Sequence, residues 1–385
     1  MTLRLLLSCG EPSGDLYAGE LTRELRQAAP EVEIAGVGGP QFAAAGGRLL
    51  EDYRGLAATG LTEVIATVPR FFAALSRVVE AAREQRPSAL VVIDFPEFNL
   101  RLARRIKKLG VPVVYYVSPQ IWAWRQGRLK TIREIAERVL VIFPFEEELY
   151  RRAGVPVEFV GHRLVDLARP STSRGSFLAG RGLAPNAPTV AILPGSRPNE
   201  VRRILPILVA AADRLKASVP GIQFVVARAP GLDDGLFAAA IRVSPLIVVA
   251  GDTDTVLASA DVALTASGTA TVQSALHDTP MVVVYRLSPL TYRLGRPLVK
   301  VNTFAMVNLI AGEQIVPELI QDAFTPEAVA HEAVLLLTDS ARAGEVRSGL
   351  ARVRERLGGL GASRRAAAAI LGVASAQLTR SQMTR

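Results

Sequence analysis

Short, continuous runs of apolar residues, separated by turns and helical patterns, constrain the fold of this chain most strongly. Such runs are typical of parallel strands covered on both faces, whereas half-exposed strands alternate apolar and polar residues. Parallel neighbours also need a crossover connection, which is usually a helix. In the first half of the chain we predict strands at 3–8, 34–37, 89–93, 113–117 and 139–143. This succession predicts a doubly wound α/β domain.

The same pattern restarts after an interruption. Residues 167–188 are rich in Pro, Ser, Gly and Arg, and we predict that they form a linker. Pro206 lies in the helical pattern that follows, so that helix should start or kink near it. We predict the strands of this second α/β domain at 189–193, 224–227, 246–249, 262–264 and 279–285.

Composition narrows the classes of function. The formal net charge is +9 and the pI about 10.1, which favours anionic partners. Aromatic residues are only 6% and no basic run is interleaved with them, so nucleic-acid binding is disfavoured. A single cysteine, Cys9, excludes an internal disulfide, and the dispersed His162, His277 and His331 give no metal cluster. We therefore predict no metal and no cofactor, and the chain has no run of about 20 apolar residues that could span a membrane.

Two turns of the second domain carry groups suited to an anion. Gly195 and Ser196 follow a predicted strand, and Arg197 adds a planar fork of donors. Ser267-Gly268-Thr269 opens a helix whose first N–H groups and dipole attract negative charge. Together these turns predict a diphosphate clamp, although a solvated surface turn and an ordinary helix cap stay open as alternatives.

Gln273 lies four residues after Thr269, on the same helix face. Its amide would reach a ribose hydroxyl beyond the diphosphate. A dinucleotide site is disfavoured, because Gln41 stands where the third glycine of a G-x-G-x-x-G pattern would be.

In the first domain, acidic and polar side chains follow the predicted strands. Asp94 comes directly after the strand at 89–93 and is placed as a general base, with a helix cap as the alternative. The turn after the first strand carries Glu11, Ser13 and Asp15, which we expect to contact sugar hydroxyls unless Ser13 only caps a helix.

Two aromatic segments of the first domain have open interpretations. Residues 118–125 contain both tryptophans together with Gln120, and would suit a sugar or an apolar tail, or else form a buried cluster. The segment with Val68, Phe71 and Phe72 mixes apolar bulk with arginine. It would form an interfacial helix that touches a membrane, or a helix packed on the first domain.

The chain resembles the lipid-A-disaccharide synthase family. No single motif is diagnostic, but the matches run in order from Gly10 to Gln321. They are 10–15 (GEPSGD), 94–99 (DFPEFN), 118–125 (SPQIWAWR), 143–146 (FPFE), 161–162 (GH), 193–197 (LPGSR), 267–271 (SGTAT), 308–312 (NLIAG) and 316–321 (VPELIQ).

The resemblance implies a GT-B glycosyltransferase with two doubly wound Rossmann-like domains facing across a cleft. The expected boundaries are 1–166 for the acceptor-side domain, 167–188 for the linker and 189–351 for the UDP-sugar domain, with the helices of 352–385 packing back on the first. The family joins UDP-2,3-diacylglucosamine to 2,3-diacylglucosamine 1-phosphate in an inverting, metal-independent reaction. It works as a peripheral protein on the cytoplasmic face of the inner membrane, and a homodimer is plausible.

The resemblance also gives roles to residues. Asp94 would be the catalytic base, and the clamp of 195–197 and 267–269, with Gln273, would hold UDP. The acceptor side would be shaped by Glu11, Ser13, Asp15, Asn99 and Gln120, and the donor contacted by Asn308, Glu318 and Gln321.

One departure from the family concerns Gln273, because the family usually has glutamate there. Glutamine still accepts a hydrogen bond but loses charge-assisted strength, so the departure bears on ribose affinity. The rival functions are another UDP-sugar enzyme of this fold, such as a UDP-GlcNAc epimerase, and a non-catalytic UDP-sugar-binding protein at the membrane.

Overall fold

A computed structural model describes residues 3–56, 61–119, 121, 127–238, 246–288, 292–293 and 303–383. The chain divides into two compact units, which we call the first unit (Met1–Arg163 with Gly358–Arg385) and the second unit (Leu164–Leu357). Each unit is built on one parallel β-sheet that is flanked by helices.

The strands of both sheets run parallel to their neighbours. The first sheet has seven strands in the order β3-β2-β1-β4-β5-β6-β7, and the second has six in the order β10-β9-β8-β11-β12-β13. The strands are β1 Arg4–Ser8, β2 Glu33–Gly38, β3 Arg48–Asp52, β4 Ala89–Ile93, β5 Val113–Tyr116, β6 Arg138–Val141, β7 Val157–Phe159, β8 Thr189–Leu193, β9 Gln223–Arg228, β10 Ile247–Ala250, β11 Val262–Ala266, β12 Met281–Tyr285 and β13 Glu318–Ile320.

Helices connect the strands and cover the sheets. Short 3₁₀ turns at Tyr53–Gly55 and Gln321–Ala323 follow β3 and β13. The α-helices are α1 Pro12–Ala28, α2 Pro40–Ala44, α3 Leu61–Gln85, α4 Pro96–Lys107, α5 Arg128–Ile135, α6 Pro144–Arg152, α7 Leu164–Leu167, α8 Arg174–Ala179, α9 Pro198–Ser218, α10 Thr253–Ala258, α11 Thr269–Leu276, α12 Met306–Ala311, α13 Pro326–Thr338, α14 Ser340–Arg356 and α15 Ala362–Met383.

The two sheets confirm the predicted α/β class with two doubly wound, Rossmann-like units. The central strands β4, β8 and β11 are buried along their whole length, as their continuous apolar sequences predict. The unpredicted strands β3, β7 and β13 all lie at sheet edges. They are short and only partly buried, so they lack the continuous apolar run that marks a central strand.

The segment 167–188 does not behave as a free linker. It carries α8, whose Phe177 and Leu178 are buried. Arg174 donates both Nη1 and Nη2 to Asp261, at 3.0 and 2.9 Å, and Asp261 also accepts the Thr189 N–H. These bonds fix the segment to the strand beginnings of β8 and β11, so it belongs to the second unit.

Two further details concern helices. α9 begins at Pro198 and contains Pro206, so the helix does not start near Pro206, and the alternative that it kinks there stays a prediction. α15 packs against α1, β4 and β5, within the first unit.

Within the described part of the chain, no helix combines the length and the apolar character needed to cross a bilayer.

The strand order positions the candidate site. In each sheet the chain reverses its direction of winding beside the first strand, between β1 and β4 and between β8 and β11. Ligands of doubly wound sheets bind outside the carboxyl ends of the strands at this switch point. The turn with Asp94 follows β4, and the two clamp turns follow β8 and β11. The topology therefore places Asp94 at the switch point of the first sheet and the two clamp turns at the switch point of the second.

Candidate functional site

Asp94 lies in a strained turn between β4 and α4. Asp94 and Phe95 both adopt left-handed backbone conformations, with φ of 44° and 47°. Non-glycine residues rarely take this conformation, and it persists only where the surroundings impose it. Phe95 is the N-cap residue of α4 and no side-chain hydrogen bond is made there. The alternative that Asp94 serves as a helix cap is therefore not what the structure has.

Hydrogen bonds to the Asp94 carbonyl hold this turn. Asn99 Nδ2 donates to the Asp94 carbonyl at 2.7 Å and Tyr115 Oη donates to the same oxygen at 3.0 Å. The Asp94 N–H donates to the carbonyl of Val117. A Cβ at Gly10 would fall 2.0 Å from the Phe95 ring, so only glycine at that position lets Phe95 pack there.

Asn99 positions the turn, and this corrects its predicted place among the acceptor contacts. Its side chain is 0% exposed. Asn99 Nδ2 also donates to the carbonyls of Ser8 and Ile93, while Asn99 Oδ1 accepts from Ser8 Oγ at 2.6 Å. The amide thus ties the carboxyl ends of β1 and β4 together and holds Asp94 in place.

Replacing Asn99 by Ala is expected to lower the free energy of unfolding by about 2 kcal/mol, because the carbonyls of Ser8, Ile93 and Asp94 each lose one donor. Urea denaturation measures this. Asn199→Ala is the matched control, because Asn199 is exposed on α9. An unfolding free energy equal to that of the parent protein would contradict the positioning role.

The Asp94 carboxyl is prepared for proton transfer. Burial raises its pKa to about 6, the negative charges of Glu11 and Glu97 act in the same direction, and the Phe95 N–H and Arg128 oppose them. Glu97 is paired with Arg128 at 2.6 Å. A carboxylate with a pKa near the operating pH is an efficient general base.

The raised pKa predicts a pH-dependent stability. The folded state favours the protonated carboxyl over the ionised carboxylate. The stability that this preference contributes is fully present at low pH and is lost as the pH rises from about 4 to about 6. We expect Asp94→Asn to raise the free energy of unfolding above pH 6, by at most about 3 kcal/mol. The gain should shrink towards pH 4. Urea denaturation between pH 4 and 8 measures it, and a gain that is independent of pH would contradict the assignment.

The other residues predicted for the acceptor side differ in their surroundings. Glu11 and Ser13 are exposed at the start of α1, where Glu11 is the N-cap, so the alternative that Ser13 caps this helix is wrong. Asp15 is buried and accepts the N–H groups of Gly39, Gln41 and Phe42 at 2.8 to 3.1 Å. These bonds cap α2 and replace the predicted sugar contact. Gln120 and both tryptophans lie outside the described residues.

The predicted membrane contact divides into exposed and packed residues. Val68 and Phe72 are each 46% exposed on α3. Phe71 is instead partly buried, with its ring edge-on to Phe98 at a centroid distance of 5.1 Å. Phe71 therefore serves the packing of α3 on α4, and of these three residues Val68 and Phe72 present apolar side chains to the surroundings.

In the second unit, the beginning of α11 is open to a ligand. Gly268 is its N-cap with a φ of 153° and no side-chain cap, so the alternative of an ordinary side-chain cap is wrong. A Cβ at Gly268 would meet no described atom within 4 Å. Thr269 is exposed, and the first N–H groups of a helix have no partner within it. The hydroxyls of Ser267 and Thr271 are engaged with the carbonyls of Phe304 and Gly268.

The turn after β8 carries an arginine that is exposed and paired with a nearby carboxylate. Arg197 is 72% exposed and donates from Nη1 to Glu200 Oε1 at 3.2 Å. Glu200 Oε2 also accepts the Ser196 N–H at 3.2 Å. Gly195 has a φ of 118°, and a Cβ there would fall 2.7 Å from Glu200 Oε2. Glycine therefore lets Glu200 fold back, and the remaining N–H groups of Arg197 are available to an anion.

Tyr285 is a candidate hydrogen-bond donor of the site that the sequence analysis missed. It ends β12, beside β11, and burial together with the charge of Glu200 raises its pKa, against the opposing charges of Arg197 and Arg203. Its phenol therefore stays protonated and can donate a hydrogen bond. Its position as the last residue of a predicted central strand was the available signal.

The residues predicted for the donor side instead hold a loop. Glu318 accepts the N–H groups of Phe304 and Ala305 at 2.8 and 3.0 Å, and Asn308 Nδ2 donates to it at 2.7 Å. Asn308 also binds the backbone of 315–316. Gln321 bonds the backbone of Leu287. These side chains are bonded within the protein, and Glu318 fixes the loop at 304–305 to which Ser267 also bonds. We therefore revise all three to positioning residues.

A profile of the family described as lipid-A-disaccharide synthetase matches residues 5–372 of this chain. The chain belongs to this family. The lipid-A-disaccharide synthase of Myxococcus xanthus is 44% identical over 370 residues, which is 96% of this chain and 97% of that protein. The one of Solibacter usitatus is 42% identical over 377 residues, covering 98% and 99%. The resemblance stated from the motifs is thus confirmed over nearly the whole chain.

Solved structures share the fold at low sequence identity. The UDP-GlcNAc 2-epimerase of Neisseria meningitidis, bound to UDP-GlcNAc, superposes with a TM-score of 0.65 at 10% identity, covering 97% of this chain and 100% of that one. The calicheamicin glycosyltransferase CalG4 gives 0.60 at 18% identity, covering 97% and 98%. Both support the GT-B type of α/β fold, and at these identities they carry the fold alone.

Proposed function

We propose that the chain catalyses the reaction of the lipid-A-disaccharide synthase family. It would join UDP-2,3-diacylglucosamine to 2,3-diacylglucosamine 1-phosphate, giving the β-1,6-linked disaccharide 1-phosphate and UDP. The observation that carries the proposal is the family match along residues 5–372, together with relatives that align over nearly their full length.

The proposed chemistry is a direct displacement with inversion. The acceptor 6-hydroxyl gives its proton to the Asp94 carboxylate as its oxygen attacks the anomeric carbon of the donor. The bond from that carbon to the diphosphate breaks, and its electron pair leaves with UDP. The raised pKa of Asp94, at about 6, suits a base that must accept a proton near neutral pH.

The second unit would bind the leaving group. Negative charge develops on the diphosphate, and the open beginning of α11 and Arg197 are the donors that would stabilise it. Gln273 would accept a hydrogen bond from a ribose hydroxyl. Both substrates are phosphorylated, which accords with the net charge of +9.

The proposal includes peripheral attachment at the cytoplasmic face of the inner membrane, and assembly as a homodimer. The exposed Val68 and Phe72 support such an attachment. Replacing both by Asp should reduce sedimentation with vesicles of anionic phospholipid, and equal sedimentation would reject this surface.

A radiolabelled-sugar transfer assay with purified protein tests the function. Acylated UDP-glucosamine with the acylated acceptor phosphate should give a disaccharide phosphate and UDP. Non-acylated UDP-GlcNAc tests the rival functions, since an epimerase would change the sugar without an acceptor. UDP binding without any turnover would instead favour a binding protein.

A further inference from the structure

Asp254, to which the roles above assign nothing, forms a polar cluster with Gln273 and His277. Gln273 lies on α11 and His277, four residues later, is the C-cap of that helix, and both reach the same oxygen of Asp254. Gln273 Nε2 donates to Asp254 Oδ1 at 3.3 Å, and His277 Nε2 lies 2.8 Å from that oxygen. The His277 side chain is 5% exposed and that of Asp254 24%, so the cluster is shielded on one side and accessible on the other.

The hydrogen bond to Asp254 decides which amide atom of Gln273 remains available. A carboxylate accepts hydrogen bonds and does not donate, so the Gln273 NH₂ group must face Asp254. Gln273 Oε1 is then directed away from Asp254. In the described part of the chain this oxygen takes part in no hydrogen bond, and Gln273 itself is partly exposed.

The location of Gln273 suits the ribose of a nucleoside diphosphate. Gln273 lies one turn into the helix whose open beginning, at Gly268 and Thr269, is the anion site of the proposed function. Ribose is the chemical group next to the diphosphate in such a ligand, and its hydroxyls are donors for an amide oxygen. The amide oxygen of Gln273 is therefore the acceptor that such a hydroxyl would meet.

We propose that Asp254 is a positioning residue for nucleotide binding. It orients the Gln273 amide so that Oε1 accepts a hydrogen bond from a ribose hydroxyl. This inference rests on the proposed function, because it takes the ligand to be a UDP-sugar. His277 Nε2 contacts the same carboxylate oxygen at 2.8 Å and keeps it in reach of Gln273.

The contact with Asp254 determines which charge is favourable at position 273. A carboxylate at position 273 would lie beside that of Asp254, and like charges at hydrogen-bond distance repel each other. Glutamine is therefore the fitting residue at 273 as long as position 254 is acidic. In Asp254→Asn a carboxylate at position 273 becomes acceptable, because the introduced amide NH₂ group can donate to it.

Isothermal titration calorimetry with UDP and with 2′,3′-dideoxy-UDP tests the inference. The parent protein should bind UDP more tightly than the dideoxy analogue, and Asp254→Ala should weaken UDP binding and bring the two affinities together. Gln273→Glu should weaken UDP binding by about 10-fold, and Gln273→Glu combined with Asp254→Asn should restore it to within about 3-fold. Asp278→Asn is the matched control, because Asp278 pairs with Arg354 outside the cluster and should leave both affinities unchanged.

The outcomes separate the inference from the proposed function. If Gln273→Glu binds UDP as the parent does, or if the second substitution brings no recovery, the positioning role of Asp254 is rejected while UDP binding stands. If the parent protein binds no UDP, the proposed function fails and the ribose assignment fails with it. Thermal unfolding of each variant checks that a loss of affinity does not come from a loss of fold.

Discussion

Replacing Asp94 by Asn is expected to lower turnover by about 10²-fold or more while the fold is kept. Asparagine cannot accept the proton of the attacking hydroxyl, so the step that Asp94 performs loses its base. The substitution suits the backbone, since asparagine tolerates the left-handed conformation that Asp94 adopts at φ 44°. The transfer assay at saturating substrate measures the loss.

The pH profile of the parent enzyme provides an independent check. With a pKa of about 6, Asp94 is protonated at lower pH and cannot act as a base. We therefore expect kcat/KM to fall about 10-fold per pH unit below pH 6 and to level off above it. This limb should be absent from the residual activity of Asp94→Asn.

Glu97→Gln is the matched control for Asp94. Glu97 lies in the same turn, is exposed, and is paired with Arg128, so its loss changes the local charge without removing the base. Turnover should change only slightly, and the limb of the profile should move to lower pH, because one charge that raises the pKa of Asp94 is gone. Near-normal turnover in Asp94→Asn would remove Asp94 as the base.

Replacing Arg197 by Ala is expected to weaken UDP binding by about 10-fold to 100-fold, because charge-assisted hydrogen bonds to the diphosphate are lost. The exposure of Arg197, at 72%, means that its removal leaves no cavity and should not disturb the fold. Calorimetry with UDP measures the effect. Arg197→Lys should recover part of the affinity, since lysine keeps the charge but not the planar fork.

Arg202→Ala is the matched control for Arg197. Arg202 is also an exposed arginine near the start of α9, and its guanidinium donates to Asn199 at 3.3 Å. The two substitutions change the net charge equally, so a difference between them isolates the contact made by Arg197. Equal UDP affinity in Arg197→Ala and the parent protein would reject the clamp.

The sequence identified the central strands of the fold because burial on both faces leaves its mark in consecutive residues. A strand buried on both faces must be largely apolar, so β4, β8 and β11 are visible as mainly apolar runs. The edge strands β3, β7 and β13 need no such run, and they were missed. Polar residues in the turns after central strands, such as Asp94 and Arg197, could be singled out as candidates because parallel strands end at one edge of the sheet.

The sequence by itself determined the α/β class, the family and the chemical types of the candidate residues. Only the tertiary structure decided what each side chain does, because hydrogen bonds join residues that are distant in the chain. Asn99 and Asp15 bond to backbone groups of other elements and so hold the site in shape. Asp254 meets Gln273 across two helices, and no spacing in the sequence could indicate that contact. The pKa of Asp94 was likewise decided by burial and by neighbouring charges, which exist only once the chain has folded.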